Sequence, residues 1–119
     1  MRPKQSVVQA IKIALRGMTI LLAERAFRIQ LTIGIGITAM GFYFEIESWA
    51  WAAQTLAIGL VLMAEGINTA LERIADFIQP NFDPKIGRIK DMAAGFVSIA
   101  AIVSLIIAVI IYSEKLTLL

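Results

Sequence analysis

Polar and apolar positions alternate at helical spacing over residues 5–22. Gln5, Gln9, Lys12 and Arg16 line one side, and Val7, Val8, Ile11, Leu15, Met18 and Leu22 the other. This pattern predicts an amphipathic helix with a basic polar face, suited to lying on a membrane surface. Glu24, Arg25 and Arg28 interrupt before an apolar run over residues 29–44. A short acidic connector, Glu45-Ile46-Glu47-Ser48, precedes a second apolar run whose helix continues to residue 77. Trp49 and Trp51 mark an aromatic belt at its start. Pro80 and Pro84 are expected to break this helix before a third span over residues 87–113, uncharged from Met92 onward.

Within the second run, Glu65 stands out. A carboxylate at membrane depth costs at least ~2.5–3.5 kcal/mol on insertion scales, so it needs a partner or a purpose. Asn68, Glu72 and Asp76 follow it at offsets of three, seven and eleven. At about 100° per residue the four side chains fall within an arc of roughly 80°. A polar seam therefore starts inside the bilayer and runs out to its surface. The plain alternative for its outer end is local ion pairing, Arg73 with Glu72 or with Asp76 on an exposed helix end.

Composition agrees with a small integral membrane protein of one domain, residues 1–119. The chain is 59% hydrophobic, and its mean hydropathy is +0.79, too apolar for an ordinary soluble domain. It has neither Cys nor His, which removes thiol and imidazole nucleophiles, disulfides and the usual zinc sites. Chemistry must rest on carboxylates, amides, Lys and Arg, and the natural metal for oxygen ligands is a hard cation such as Mg²⁺. The net charge of +2 gives no reason to expect nucleic acid. No cleavable signal peptide is expected, because the first 20 residues lack a continuous apolar core.

The distribution of charge is more informative than its total. Six Lys or Arg lie in residues 1–28 and four more between Arg73 and Lys90, while the 45–48 connector has none. The positive-inside rule then places the N-terminus and the 73–90 segment in the cytoplasm. Nearly all the unusual polar residues gather at that face. On the third span, Lys90, Ala94, Ser98, Ala101, Ser104 and Ala108 share one side. Small residues let helices approach closely in lipid, so this face is expected to pack helices and to support oligomerisation.

Glu24, Glu65, Asn68, Glu72, Lys90 and Asp91 together suit phosphoryl transfer. Two or three carboxylates hold Mg²⁺ when phosphate oxygens complete its shell. A carboxylate withdrawn from bulk water suits a general base for a hydroxyl group. A lysine stabilises charge on a transferring phosphoryl group. No GxxxxGK[ST] or GxGxxG loop is present, so any nucleotide site is of another kind. A competing reading is a small oligomer that conducts protons or cations past Glu65. It predicts polarity continuing to the outer leaflet, where this chain offers little. A third reading, an assembly subunit, leaves the seam unexplained.

The run Glu65-Gly66-Ile67-Asn68-Thr69-Ala70-Leu71-Glu72, with Asp76, resembles the E-x-x-N-[ST]-[AS]-[IL]-E-x-x-x-D signature of prokaryotic diacylglycerol and undecaprenol kinases. Lys90-Asp91-Met92-Ala93-Ala94-Gly95 is similar to that family's K-D motif, and Glu24-Arg25-Ala26-Phe27-Arg28 to its motif before the first span. The resemblance implies an all-α homotrimeric membrane bundle, each subunit with a surface helix and three transmembrane helices. It implies transfer of the γ-phosphate of MgATP to a lipid hydroxyl at the cytoplasmic face of the bacterial inner membrane, in sites shared between subunits. By motif position Glu65 is the general base, and Glu24 and Glu72 hold Mg²⁺. Asn68 orients the base or the acceptor. Lys90, Asp91, Asn81, Phe82 and Asp83 contact ATP, and Ala26, Phe27, Arg28, Ile29, Gln30 and Ala94 line the lipid's path. Arg28-Ile29 and the Lys-Asp-Met-Ala-Ala-Gly run lean toward the undecaprenol branch, whereas Ala26 and Gln30 depart from its pattern.

Overall fold

The computed structural model describes Lys4 and residues 6–117, which form four helices. These are α1 (Val7–Leu22), α2 (Arg25–Tyr43), α3 (Ser48–Ile78) and α4 (Pro84–Leu116). No strand occurs among the described residues.

A capping box opens α1. The Gln9 amide donates to Ser6 Oγ at 3.2 Å, and the Ser6 amide donates to Gln9 Oε1 at 2.9 Å. Gln5, expected in this helix, lies outside the described residues. None of the residues of α1 is buried, and its apolar face from Val7 to Leu22 is open.

Two helix starts differ from the sequence expectation. α2 begins at Arg25 rather than at residue 29, because the Arg28 amide already donates to Glu24 O at 3.0 Å. Pro84 does not stand outside α4 but opens it. Asp83 Oδ1 accepts from the amides of Lys85 (2.8 Å) and Ile86 (3.3 Å), and proline at the first position gives up no needed donor.

α3 and α4 are long and apolar enough to cross a membrane. Their 31 and 33 residues exceed the ~20 that a crossing needs, so their ends project beyond the hydrocarbon. α2 does not reach that standard. Arg25, Arg28 and Gln30 occupy its first turns, and the uncharged remainder is only about 22 Å long at 1.5 Å per residue.

Close backbone approach holds the helices together. A Cβ on Gly34 would lie 2.8 Å from Ile58 Cγ2, and one on Gly41 would lie 2.8 Å from the Trp51 ring. Only glycine lets α2 settle on α3 at these points. Trp51 is therefore packed between helices, its ring centroid 4.7 Å from that of Phe42, while Trp49 stays exposed and donates to Glu47 Oε2 at 2.8 Å.

Against α4, α3 buries Ala50, Ala57 and Ala75, and α4 answers with Ala93, Ala100, Ile111 and Tyr112. The small-residue stripe expected on α4 divides between an open and a half-buried part. Ala94, Ser98 and Ala101 are exposed in the subunit, and of that stripe Ser104 and Ala108 are half-buried. The fully buried alanines of α4, Ala93 and Ala100, each precede a member of that stripe by one residue.

A polar clamp closes one end of the bundle. Gln54, 3% exposed, accepts from Tyr112 OH at 2.5 Å and donates to Ile37 O at 3.3 Å, so three helices meet in one network. Tyr112→Phe would strand the Gln54 oxygen among apolar groups. The expected loss is about 0.6–1.7 kcal/mol, the range for interhelical hydrogen bonds in bilayers. Reversible unfolding in mixed micelles measures it, and unchanged stability would show that the clamp contributes nothing.

Candidate active site

The site forms where the α1–α2 corner meets the second half of α3. The chain turns sharply at Ala23 and Glu24. Arg28 holds this turn, its Nη1 donating to Leu22 O (3.1 Å) and Ala23 O (2.8 Å). Those carbonyls end α1, where a cation is favourable. Leu21 then rests over Gly66, whose added Cβ would meet a Leu21 methyl at 3.4 Å. The corner is thereby seated beside Glu65.

Glu65 is 7% exposed, and its carboxylate has no hydrogen-bond or ion-pair partner among the described residues. Its backbone carbonyl accepts from Thr69 Oγ1 at 3.0 Å, which keeps that hydroxyl off the carboxylate. One turn on, Asn68 Nδ2 donates to Glu72 Oε1 at 3.5 Å. The other Asn68 amide atom, Oδ1, is buried and unsatisfied. Leaving such an acceptor unpaired costs ~1–3 kcal/mol, which a donor arriving with a ligand would recover. An unpaired carboxylate and an unpaired amide oxygen thus stand three residues apart on one face.

Two ion pairs border this face. Arg73 pairs with Glu24, tying the α1–α2 corner to α3, and Lys90 pairs with Asp76, tying α4 to α3. Neither is the local pairing expected of Arg73. The arrangement brings Glu24, Glu65, Asn68 and Glu72 to one end of the bundle, with Asp76 and Lys90 on the next turn.

Other residues singled out in the sequence are placed differently. Asp91 is exposed beside Lys90. Asn81 is exposed, Phe82 is 92% exposed, and Asp83 uses its carboxylate to cap α4. Ala26, Ile29 and Ala94 are exposed, whereas Phe27 and Gln30 are half-buried. Gln30 also lines a largely apolar cavity of about 220 Å³ between α2, α3 and α4, with Val61, Ser104 and Gln54.

A model of the family described as prokaryotic diacylglycerol kinase matches residues 12–112. The chain belongs to this family. It is 33% identical over 93 residues to the undecaprenol kinase of Bacillus subtilis (strain 168), covering 78% of this chain and 76% of that one. It is 34% identical over 85 residues to a diacylglycerol kinase of Synechocystis sp., covering 71% of this chain and 49% of that protein. The chain thus spans about half the length of the cyanobacterial relative.

As a member of the prokaryotic diacylglycerol kinase family the chain is an ATP-dependent lipid kinase and a membrane protein. The ion-conducting and assembly readings find no support.

Whether the acidic residues fit a divalent cation follows from their present partners. No three acidic side chains among the described residues converge closely enough to form a cage. Mg²⁺ rarely uses one, taking one or two carboxylates and leaving the rest of its shell to phosphates and water. Glu72 suits that role, being exposed and, among the described residues, hydrogen-bonded through its side chain only to the Asn68 amide. Glu24 must first part from Arg73. Sequence reasoning missed Arg73 as the partner of Glu24, and Tyr112 as the partner of Gln54. These pairs lie 49 and 58 residues apart in the chain, so no local pattern signals them.

Proposed function

We propose that the chain transfers the γ-phosphate of MgATP to the hydroxyl of undecaprenol or diacylglycerol, giving undecaprenyl phosphate or phosphatidic acid. The observation that carries this reading is the buried, partnerless Glu65 carboxylate beside the unsatisfied Asn68 Oδ1. In this reading Glu65 takes the proton of the lipid hydroxyl as its oxygen attacks the γ-phosphorus. The bond from that phosphorus to the β–γ bridging oxygen breaks, and ADP leaves. Asn68 Oδ1 orients the hydroxyl or the protonated base.

Glu72 and Glu24 would hold Mg²⁺, which when bound would offset the charge of the phosphates. Lys90, Asp91 and residues 81–83 attend the nucleotide, and residues 26–30 with Ala94 the lipid. Lys90 already shares its ammonium with Asp76.

The same reading makes the molecule a homotrimer with three membrane helices per subunit. α2 joins α3 and α4 in crossing, with Arg25 and Arg28 reaching to the headgroups. α1 lies on the cytoplasmic surface of the inner membrane. The open apolar side of α1 and the exposed Ala94, Ser98 and Ala101 support these placements. So does the concentration of Lys and Arg near the α1–α2 corner and the α3–α4 loop.

The acceptor is tested by offering undecaprenol and diacylglycerol side by side in mixed micelles and identifying the labelled product. Undecaprenol is the first to try, since its kinase relative aligns over more of both chains. Equal labelling of both would remove the distinction, and labelling of neither would overturn the proposal.

A further inference from the structure

Glu24 stands at the N-cap position of α2 yet makes no side-chain capping bond. Its carboxylate is turned instead to Arg73, the residue that follows Glu72 in α3. Arg73 is the more accessible member of the pair, its side chain 66% exposed against 25% for Glu24. Of the two carboxylates read above as metal ligands, one is open and one is covered by a guanidinium. The two uses of Glu24 compete, since Arg73 already engages Oε1. A carboxylate that accepts a guanidinium has fewer lone pairs to give, and a divalent cation would sit close to a like charge.

We infer that Arg73 is a positioning residue that guards Glu24, releasing the carboxylate when metal and phosphate arrive together. The inference rests on the reading of Glu24 as a metal ligand. In the nucleotide-free enzyme Arg73 holds the carboxylate at the α1–α2 corner and disfavours metal alone. A nucleotide gives the guanidinium a better partner, since its planar fork matches phosphate oxygens. The exchange then leaves Glu24 open in the position where Arg73 held it. An exposed ion pair is weak, so the guard opens readily. The consequence is cooperative binding: phosphate groups raise the affinity for the metal, and the metal raises the affinity for phosphate.

The test uses the full chain in detergent without nucleotide, with Mn²⁺ as the probe and its free spin-resonance signal as the readout. Arg73→Met is expected to bind Mn²⁺ roughly three- to fivefold more tightly than the wild type, the upper part of what an exposed ion pair allows. Arg25→Gln serves as the charge control. It removes the same charge one residue from Glu24, and Arg25 is exposed and without an ion pair among the described residues. Its effect is expected to stay below about twofold, as for a screened surface charge. A non-hydrolysable ATP analogue is expected to narrow the difference between wild type and Arg73→Met.

A variant that merely misfolds would lose metal affinity, so a gain is diagnostic. Unchanged or weaker binding by Arg73→Met, or an equal gain in Arg25→Gln, overturns the guard. Adding Glu24→Gln to Arg73→Met should remove the gain. If the gain persists, Glu24 is not the ligand and the reading beneath fails as well. If Glu24→Gln alone weakens binding while Arg73→Met gains nothing, the guard fails and the metal role of Glu24 stands.

Discussion

Glu65→Gln is expected to lower phosphate transfer at least about 100-fold, the lower end of what a positioned general base contributes. The amide keeps the size and shape of the side chain and still accepts a hydrogen bond, but it does not take up the hydroxyl proton. Because the native carboxylate has no partner among the described residues, the substitution breaks no ion pair and leaves no orphaned cation. It also removes a charge from an apolar setting, so stability is expected to hold or rise. The informative pattern is a loss in kcat with the nucleotide KM and the oligomer unchanged. Transfer close to that of the wild type would mean that another group accepts the proton.

Glu72→Gln is expected to act on a different quantity. The Mg²⁺ concentration for half-maximal rate should rise at least about tenfold, since even supporting residues of metal sites change affinity by 10–100-fold. Excess metal should restore much of the rate, which it cannot do for Glu65→Gln. Asn68 loses the charged acceptor for its Nδ2, but an amide oxygen replaces it, so the Asn68 side chain should keep its orientation. An unchanged metal requirement would remove Glu72 from the metal site. The contrast between the two glutamates separates proton transfer from metal binding, although they stand only two turns apart on α3.

Much of this arrangement was legible in the sequence. Long apolar runs mark α3 and α4 because lipid forces every backbone polar group into a helix. The seam from Glu65 to Asp76 was legible because helical periodicity alone puts those offsets on one face. The amphipathic α1 was legible for the same reason. The limits were physical too. Pro84 reads as a breaker, yet with Asp83 ahead of it the same residue starts a helix. The packed face of α4 depends on where Ala50 and Ala57 lie across the interface, which no single-helix pattern contains. Arg73 had two acidic neighbours within three residues, and the structure pairs it with neither. The α1–α2 turn swings Glu24 within its reach, and Lys90 takes Asp76. Partners set by the tertiary fold are invisible to local spacing.

If this small bundle phosphorylates a lipid hydroxyl with Glu65 as the base, phosphate must move into lipid only while that carboxylate is present. The most direct measurement supplies MgATP labelled in the γ-phosphate to wild type and Glu65→Gln in the same lipid-containing micelles. Label is then followed into the organic phase. The expected result is lipid-borne label that requires added lipid alcohol and is lost in the variant. Label that stays in the aqueous phase with a folded wild-type protein, or that reaches lipid equally with the variant, would contradict it.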